Sequence, residues 1–300
     1  MSSDTSAPSD TPRDNPLGMA WGMFSMVMAS TMAVAVRGVT LELDSRTAVL
    51  LRSGIALLAL TVALVLIKSL RQKLTFSVPM GHIIRGVLMA ISMHLGFYTI
   101  ANIPLATATE LFFTAPIFAT LFAALFQGEK VGPRRLGAVA AGFIGALVIL
   151  RPGLGPVHPA FLTGIGSAIR FAAALSLSRR VATADGAFAA TFSSIVITFL
   201  ISLPLVQGSF ALPSQTWTWV ALLTLVVAGT LRNFADIEAY RLGEAAILAP
   251  LAYLRLILIG LAGYVLFDET IDGPTALGAV IIISATLYIA HRQAQLNRRT

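Results

Sequence analysis

Three ionisable residues stand where a membrane interior would reject them: Glu110, Arg170 and Arg255, each deep inside a long apolar run. A charge at mid-bilayer costs about 2.5–3.5 kcal/mol on the insertion scale. Neither arginine can reach an interface easily, so each needs water or a buried partner. Two readings stay open. The arginines form a structural salt bridge with Glu110, or at least one faces a carboxylate-bearing solute through its planar fork of donors. Thr107, Glu110 and Thr114 share a helical face by their i, i+3, i+7 spacing. Glu110 then anchors a substrate ammonium, exchanges a proton for coupling, or serves as a fixed partner for an arginine. His94 and Tyr98 lie one turn apart, and a lone intramembrane histidine either bonds a neighbouring helix or carries protons. Trp21, Tyr98, Phe171 and Tyr253 are candidates to line a cavity for a flat or apolar group, against the plainer reading of core packing. Arg52, Arg85 and Arg232 fall near run ends and are expected to snorkel, with Arg232 and Asp236 spaced to pair.

The elements that must hold these residues follow from composition. The 300-residue chain is 56% hydrophobic and only 12% charged, against about 25% charged for a soluble domain. Apolar runs of about 20 residues are transmembrane helices, since barrel strands alternate and are about half as long. Ten spans are predicted, near 17–38, 47–67, 80–100, 104–126, 134–150, 160–179, 187–207, 216–236, 245–266 and 274–291. Residues 1–16 read as a disordered cytoplasmic tail without a signal peptide, and 293–300 as a second tail. With the N-terminus inside, cytoplasmic segments hold Arg13, Lys68, Arg71, Lys73, Lys130, Arg134, Arg135, Arg179, Arg180, Arg241, Arg292, Arg298 and Arg299; external ones hold only Arg37, Arg46 and Arg151. Both termini are therefore expected in the cytoplasm.

The chain also repeats itself. Gly132-Pro133-Arg134-Arg135-Leu136-Gly137-Ala138-Val139 returns as Gly273-Pro274-Thr275-Ala276-Leu277-Gly278-Ala279-Val280, and a glutamate precedes each copy, Glu129 and Glu269. The flanking charge reverses, basic at the first copy and acidic at the second (Asp268, Glu269, Asp272). An odd number of spans separates the copies, so residues 17–150 and 151–292 are expected to be two inverted five-helix repeats. Pro116 and Pro250 are expected to bend their helices as hinges. Ala138, Gly142, Ala141 and Gly145 form small-residue stripes that suit close helix packing.

This all-α membrane arrangement resembles the ten-helix drug/metabolite transporter superfamily of EamA type, over essentially the whole chain. The resemblance is carried by the duplicated blocks, by Pro116 ahead of Gly128-Glu129, by Glu269, and by Arg179-Arg180 ending the sixth span. The chain departs from the pattern at Leu256, where a second proline would fall, and at Met28-Ala29 in place of a Trp-Gly. The resemblance implies an exporter of small metabolites, with amino acids, aromatic or otherwise apolar ones among them, as the first branch to examine.

Other classes fit less well. Zero cysteines remove thiolate chemistry and Cys-ligated metal. No GxxxxGK[ST] motif offers ATP, and the basic residues cluster in short loops rather than along a nucleic-acid footprint. An intramembrane enzyme would need a serine beside a histidine, paired acids or a metal cluster; among His82, His94, His158 and His291 only His94 lies clearly inside a span. A drug or organic-cation exporter and a sugar-phosphate or nucleotide-sugar carrier are the nearer alternatives. The expectation is a monomeric inner-membrane transporter with a small-molecule substrate, the lipid bilayer as its surroundings, and no cofactor, metal or nucleic acid.

Overall fold

The computed structural model describes residues 15–126, 133–150, 158–242 and 254–297, and every regular element among them is helical. The helices are α1 (Asn15–Thr40), α2 (Ser45–Leu66), α3 (Lys68–Arg71), α4 (Pro79–Asn102), α5 (Leu105–Phe112), α6 (Ala115–Phe126), α7 (Pro133–Leu150), α8 (Pro159–Leu205), α9 (Thr216–Leu242), α10 (Leu254–Phe267) and α11 (Gly273–Asn297). Five segments are long and apolar enough to cross a membrane: Pro16–Thr40, Ser45–Leu66, Pro79–Asn102, Pro159–Ser178 and Phe188–Leu205. Shorter apolar helices cover Leu105–Ala119, Gly137–Ile149, Thr216–Arg232, Ile257–Phe267 and Gly273–Ala285.

Helix starts follow local rules. Pro79 opens α4 and Pro159 opens α8, where a missing N–H costs nothing. Asp44 caps α2 by accepting from the Arg46 N–H at 2.8 Å. Two departures from the expected spans have physical causes. The fourth is not one helix: it breaks at Phe113–Thr114 into α5 and α6, because Pro116 has no N–H to continue the ladder. The sixth and seventh are two helices, numbered together as α8, that meet without a long loop at a sharp turn on Gly186, whose φ of 82° lies in the left-handed region glycine enters freely.

Cross-links sort the connections into two ends. At one end Arg37 Nη1 donates to the carbonyls of Ile100 and Ala101 (2.8 and 2.7 Å), Thr47 Oγ1 donates to Ser209 O (3.2 Å), and the Glu42 carboxylate accepts from Ser214 N (2.5 Å). At the other, Ser77 N–H and Val78 N–H donate to the Asp185 carboxylate at 2.7 and 3.2 Å. The core between them is built from Val36, Val39, Val49, Leu105, Leu111, Ile117, Leu222, Leu225, Ile259 and Ile282, all nearly inaccessible. The helices carrying the duplicated block, α7 and α11, cross antiparallel. A Cβ on Gly145 would meet Gly278 O at 2.9 Å, one on Gly278 would meet Ile149 at 2.5 Å, and one on Gly142 would approach Ala285 at 3.6 Å. Backbones this close are what small-residue stripes allow.

Candidate functional site

The chain leaves α10 through Asp268, held at φ 54°, and turns back so that the Glu269 N–H donates to Gly263 O at 3.1 Å. This places the Glu269 carboxylate over two other elements. Its Oε2 accepts from the Leu105 N–H at 2.6 Å, capping the first turn of α5, where an anion suits the helix dipole. Its Oε1 lies 3.2 Å from Arg37 Nη2 at the end of α1. The same guanidinium bonds the end of α4 and lies 6.0 Å from the Phe267 ring. One ion pair therefore ties α1, α4, α5 and α10 together at one end of the bundle. Sequence reasoning singled out Glu269 through the repeat and counted Arg37 only as an external charge. Their partnership had no local signal.

Beneath this closure sits the break in the fourth span. Thr107, Glu110 and Thr114 are buried, at 6%, 3% and 3% exposure. Thr114 Oγ1 donates to Leu111 O at 2.6 Å, beside the Thr114 N–H that bonds the same carbonyl at 3.1 Å. Glu110 Oε2 is buried and has no hydrogen-bond partner among the described residues. A buried polar atom without a partner is costly, and a proton or a ligand N–H would supply a donor there. Discontinuous membrane helices recurrently frame transporter binding sites.

The remaining predicted residues are scattered along the helices, and none of the following contacts joins them to Glu110. Arg170 is half-buried and turns its Nη1 back onto Gly166 O, 3.2 Å away on its own helix. Arg255 is half-buried near the start of α10. Phe171 packs against the cluster of Ala115, Phe118, Ala168 and Ala172. His94 Nε2 and Ser202 Oγ lie 2.9 Å apart, joining α4 to α8. Tyr98 is 36% exposed, and its carbonyl accepts from Asn102. Trp21 meets Phe24 edge to face at 6.1 Å. Pro116 is the second residue of α6. Pro250, Tyr253 and Glu129 lie outside the described residues.

Two of the expected snorkelling arginines do something else. Arg85 donates to Ser178 Oγ, Ala190 O and Ser194 Oγ at 2.7, 2.7 and 2.5 Å, pinning α4 to both arms of the kinked α8. Arg52 turns its Nη1 to the Met93 thioether at 3.0 Å. Acceptors inside the bundle outcompete the interface for both.

Each end also carries a carboxylate clamp that sequence reading missed. Thr218, Ser214 and Gln215 donate to Glu42, and these hydrogen bonds hold its carboxyl at about 2, below the ordinary 4.5. At the opposite end burial pushes Asp185 up. The Ser77 and Val78 N–H groups and the His82 ring pull it further down, well below the usual carboxylate range. His82 Nε2 lies 3.1 Å from Asp185 and its Nδ1 2.8 Å from Ser193 Oγ. A serine beside a histidine and an acid resembles a hydrolase relay. Here Ser193 is buried and donates to Ala190 O, and the Asp185 carboxylate is occupied by the start of α4. The group works as a staple between residues 75–82 and α8. Among the described residues no cluster of metal-ligand type occurs.

Comparison with known proteins adds the family. The model of the EamA-like transporter family matches residues 16–151. An S-adenosylmethionine uptake transporter of Rickettsia conorii is 30% identical over 94% of this chain and 95% of its own length. A riboflavin transporter of Rhizobium johnstonii is 30% identical over 94% of each. A pseudopaline exporter of Pseudomonas aeruginosa is 28% identical over 69% of this chain and 74% of its own. A crystal structure of a protein 19% identical superposes with a TM-score of 0.60, covering 95% of this chain and 99% of that one; at that identity the likeness is one of fold.

Proposed function

The chain belongs to the EamA-like transporter family, a multi-pass membrane protein, and we propose that it is a secondary transporter exporting small amino-acid-like metabolites across a bacterial inner membrane. The observation that carries this reading is Glu110: a buried carboxyl oxygen without a hydrogen-bond partner among the described residues, at the break of the fourth span, below an ion-paired closure. It suits the ammonium of a solute or the proton that drives one. Relatives named for uptake of S-adenosylmethionine and export of pseudopaline bracket both directions of small-metabolite movement.

Alternating access in this proposal uses ten crossings in two inverted halves. The antiparallel crossing of α7 and α11 supports the inversion, as does the grouping of connections at two ends. The Arg37–Glu269 pair closes the outer end by joining the last residues of the first and ninth spans. The repeat pairs Glu129 with Glu269, and the family resemblance puts Arg179-Arg180 at the end of the sixth span. These are the matching positions for an equivalent closure at the inner end. The two closures form in turn, and the cargo passes between them.

Purified protein in liposomes, loaded with each of the 20 common L-amino acids, tests this directly. The expected result is saturable efflux or counterflow of at least one, and absence of flux for every small solute would refute it. Glu110 also suits an organic cation, so ethidium belongs in the panel; flux of ethidium alone would make the chain a cation exporter instead.

A further inference from the structure

Arg52 is a poorly satisfied cation facing the bundle. A guanidinium offers five N–H donors. Arg52 makes one side-chain contact of hydrogen-bond length, from Nη1 to the weakly accepting Met93 sulfur at 3.0 Å, and its Nε is buried without a partner among the described residues. No ion pair to Arg52 occurs there. Instead a second cation, Arg232 of α9, lies within its electrostatic reach.

Its depth is set by its neighbours. Met93 lies nine residues from the Asn102 end of α4, and Gly229 thirteen residues from the Thr216 start of α9. At 1.5 Å per residue these are about 14 and about 20 Å below the Glu269 end. A Cβ on Gly229 would sit 3.3 Å from Arg52 Nη2 and 3.5 Å from Met32 Sδ, so the bare backbone there is what admits the guanidinium. The charge thus sits near the middle of a hydrocarbon core of about 30 Å. Lipid phosphates lie at the interface, out of its reach. A soluble oxyanion that enters the bundle can meet it.

We propose that Arg52 forms the subsite for the carboxylate of the transported solute, between α1, α2, α4 and α9 and walled by Met32 and Met93. The fork of Arg52 takes the two carboxylate oxygens, and the thioether that now occupies Nη1 yields to a far stronger acceptor. Arg170, folded onto its own helix, is then a bystander to the anion. The inference rests on the transport reading and assigns the solute's acidic group to a place that reading leaves open.

The test uses the full-length protein in liposomes with the 20 L-amino acids, S-adenosylmethionine and riboflavin as probes. For each carried acid, its carboxamide is then offered as competitor to the wild-type protein. The acid should compete at least tenfold better than its carboxamide. Arg52→Gln should raise KM at least tenfold with a smaller change in maximal rate, and Arg52→Lys should recover part of the loss. Equal competition by acid and carboxamide overturns the inference without any variant, so a folding defect cannot rescue it. So does flux of riboflavin alone, which has no carboxylate, while transport itself stands. No flux of any probe overturns the transport reading and this inference with it.

Discussion

Glu110, Glu42 and the Arg37–Glu269 pair make separable predictions because each carboxylate meets different chemistry. Glu110→Gln keeps size and removes the proton site. If Glu110 couples transport to protons, the variant abolishes accumulation driven by a pH gradient while leaving counterflow measurable; accumulation at the wild-type level would exclude that role. Glu42 lies outside the spans, and its folded-state value of about 2 is below the ordinary 4.5. Its clamp therefore stabilises fully above about pH 4.5 and is lost as pH falls toward 2. Melting of wild type and Glu42→Gln in detergent should differ by a constant amount from pH 8 to 5 and converge below that. A gap unchanged at pH 3 would contradict the clamp. At this scale the sequence made single residues legible and their partners illegible. Thr107, Glu110 and Thr114 were found because a helix repeats every 3.6 residues. Glu269 and Arg37, or Asp185 and Ser77, meet only through the fold, and no local spacing encodes that. Arg52 was misplaced for the same reason: a position near a helix end says nothing about a thioether waiting further in.

Elements were legible wherever hydrophobicity alone decides them. Among the described residues five of the apolar runs form helices long enough to cross a membrane, and shorter apolar helices fall within the other runs. What composition hid was continuity. Pro116 read as a bend and produces a break, since it has no N–H to continue the ladder. The stretch before Gly186 read as a loop and stays helical, because nothing between Ser178 and Asp185 forbids it. The crossing of α7 and α11 carries a stability prediction. Gly278→Leu would drive a side chain into Gly145 O and Ile149, an overpacking worth about 1–3 kcal/mol. Gly137, in the same block of α7, has no atom within 4 Å of a would-be Cβ. Gly137→Ala should leave the melting temperature unchanged or slightly raised, whereas Gly278→Leu should lower it by several degrees. Equal effects would mean that the crossing does not hold the bundle.

At the scale of the whole molecule, the proposed transport requires the end closed by the Arg37–Glu269 pair to open for cargo to move. Duplication and charge reversal were legible in the sequence, and the antiparallel crossing of α7 and α11 accords with the inversion expected from them; the pairing of Glu269 with Arg37 was not legible, because it arises only through packing. The chain contains no cysteine, so a pair introduced by Arg37→Cys and Glu269→Cys can be bridged selectively with a reversible bifunctional methanethiosulfonate. With amino-acid counterflow as the readout, the account predicts that bridging stops flux and that reductant restores it, while the unbridged variant still transports. Full counterflow through the bridged protein would contradict it.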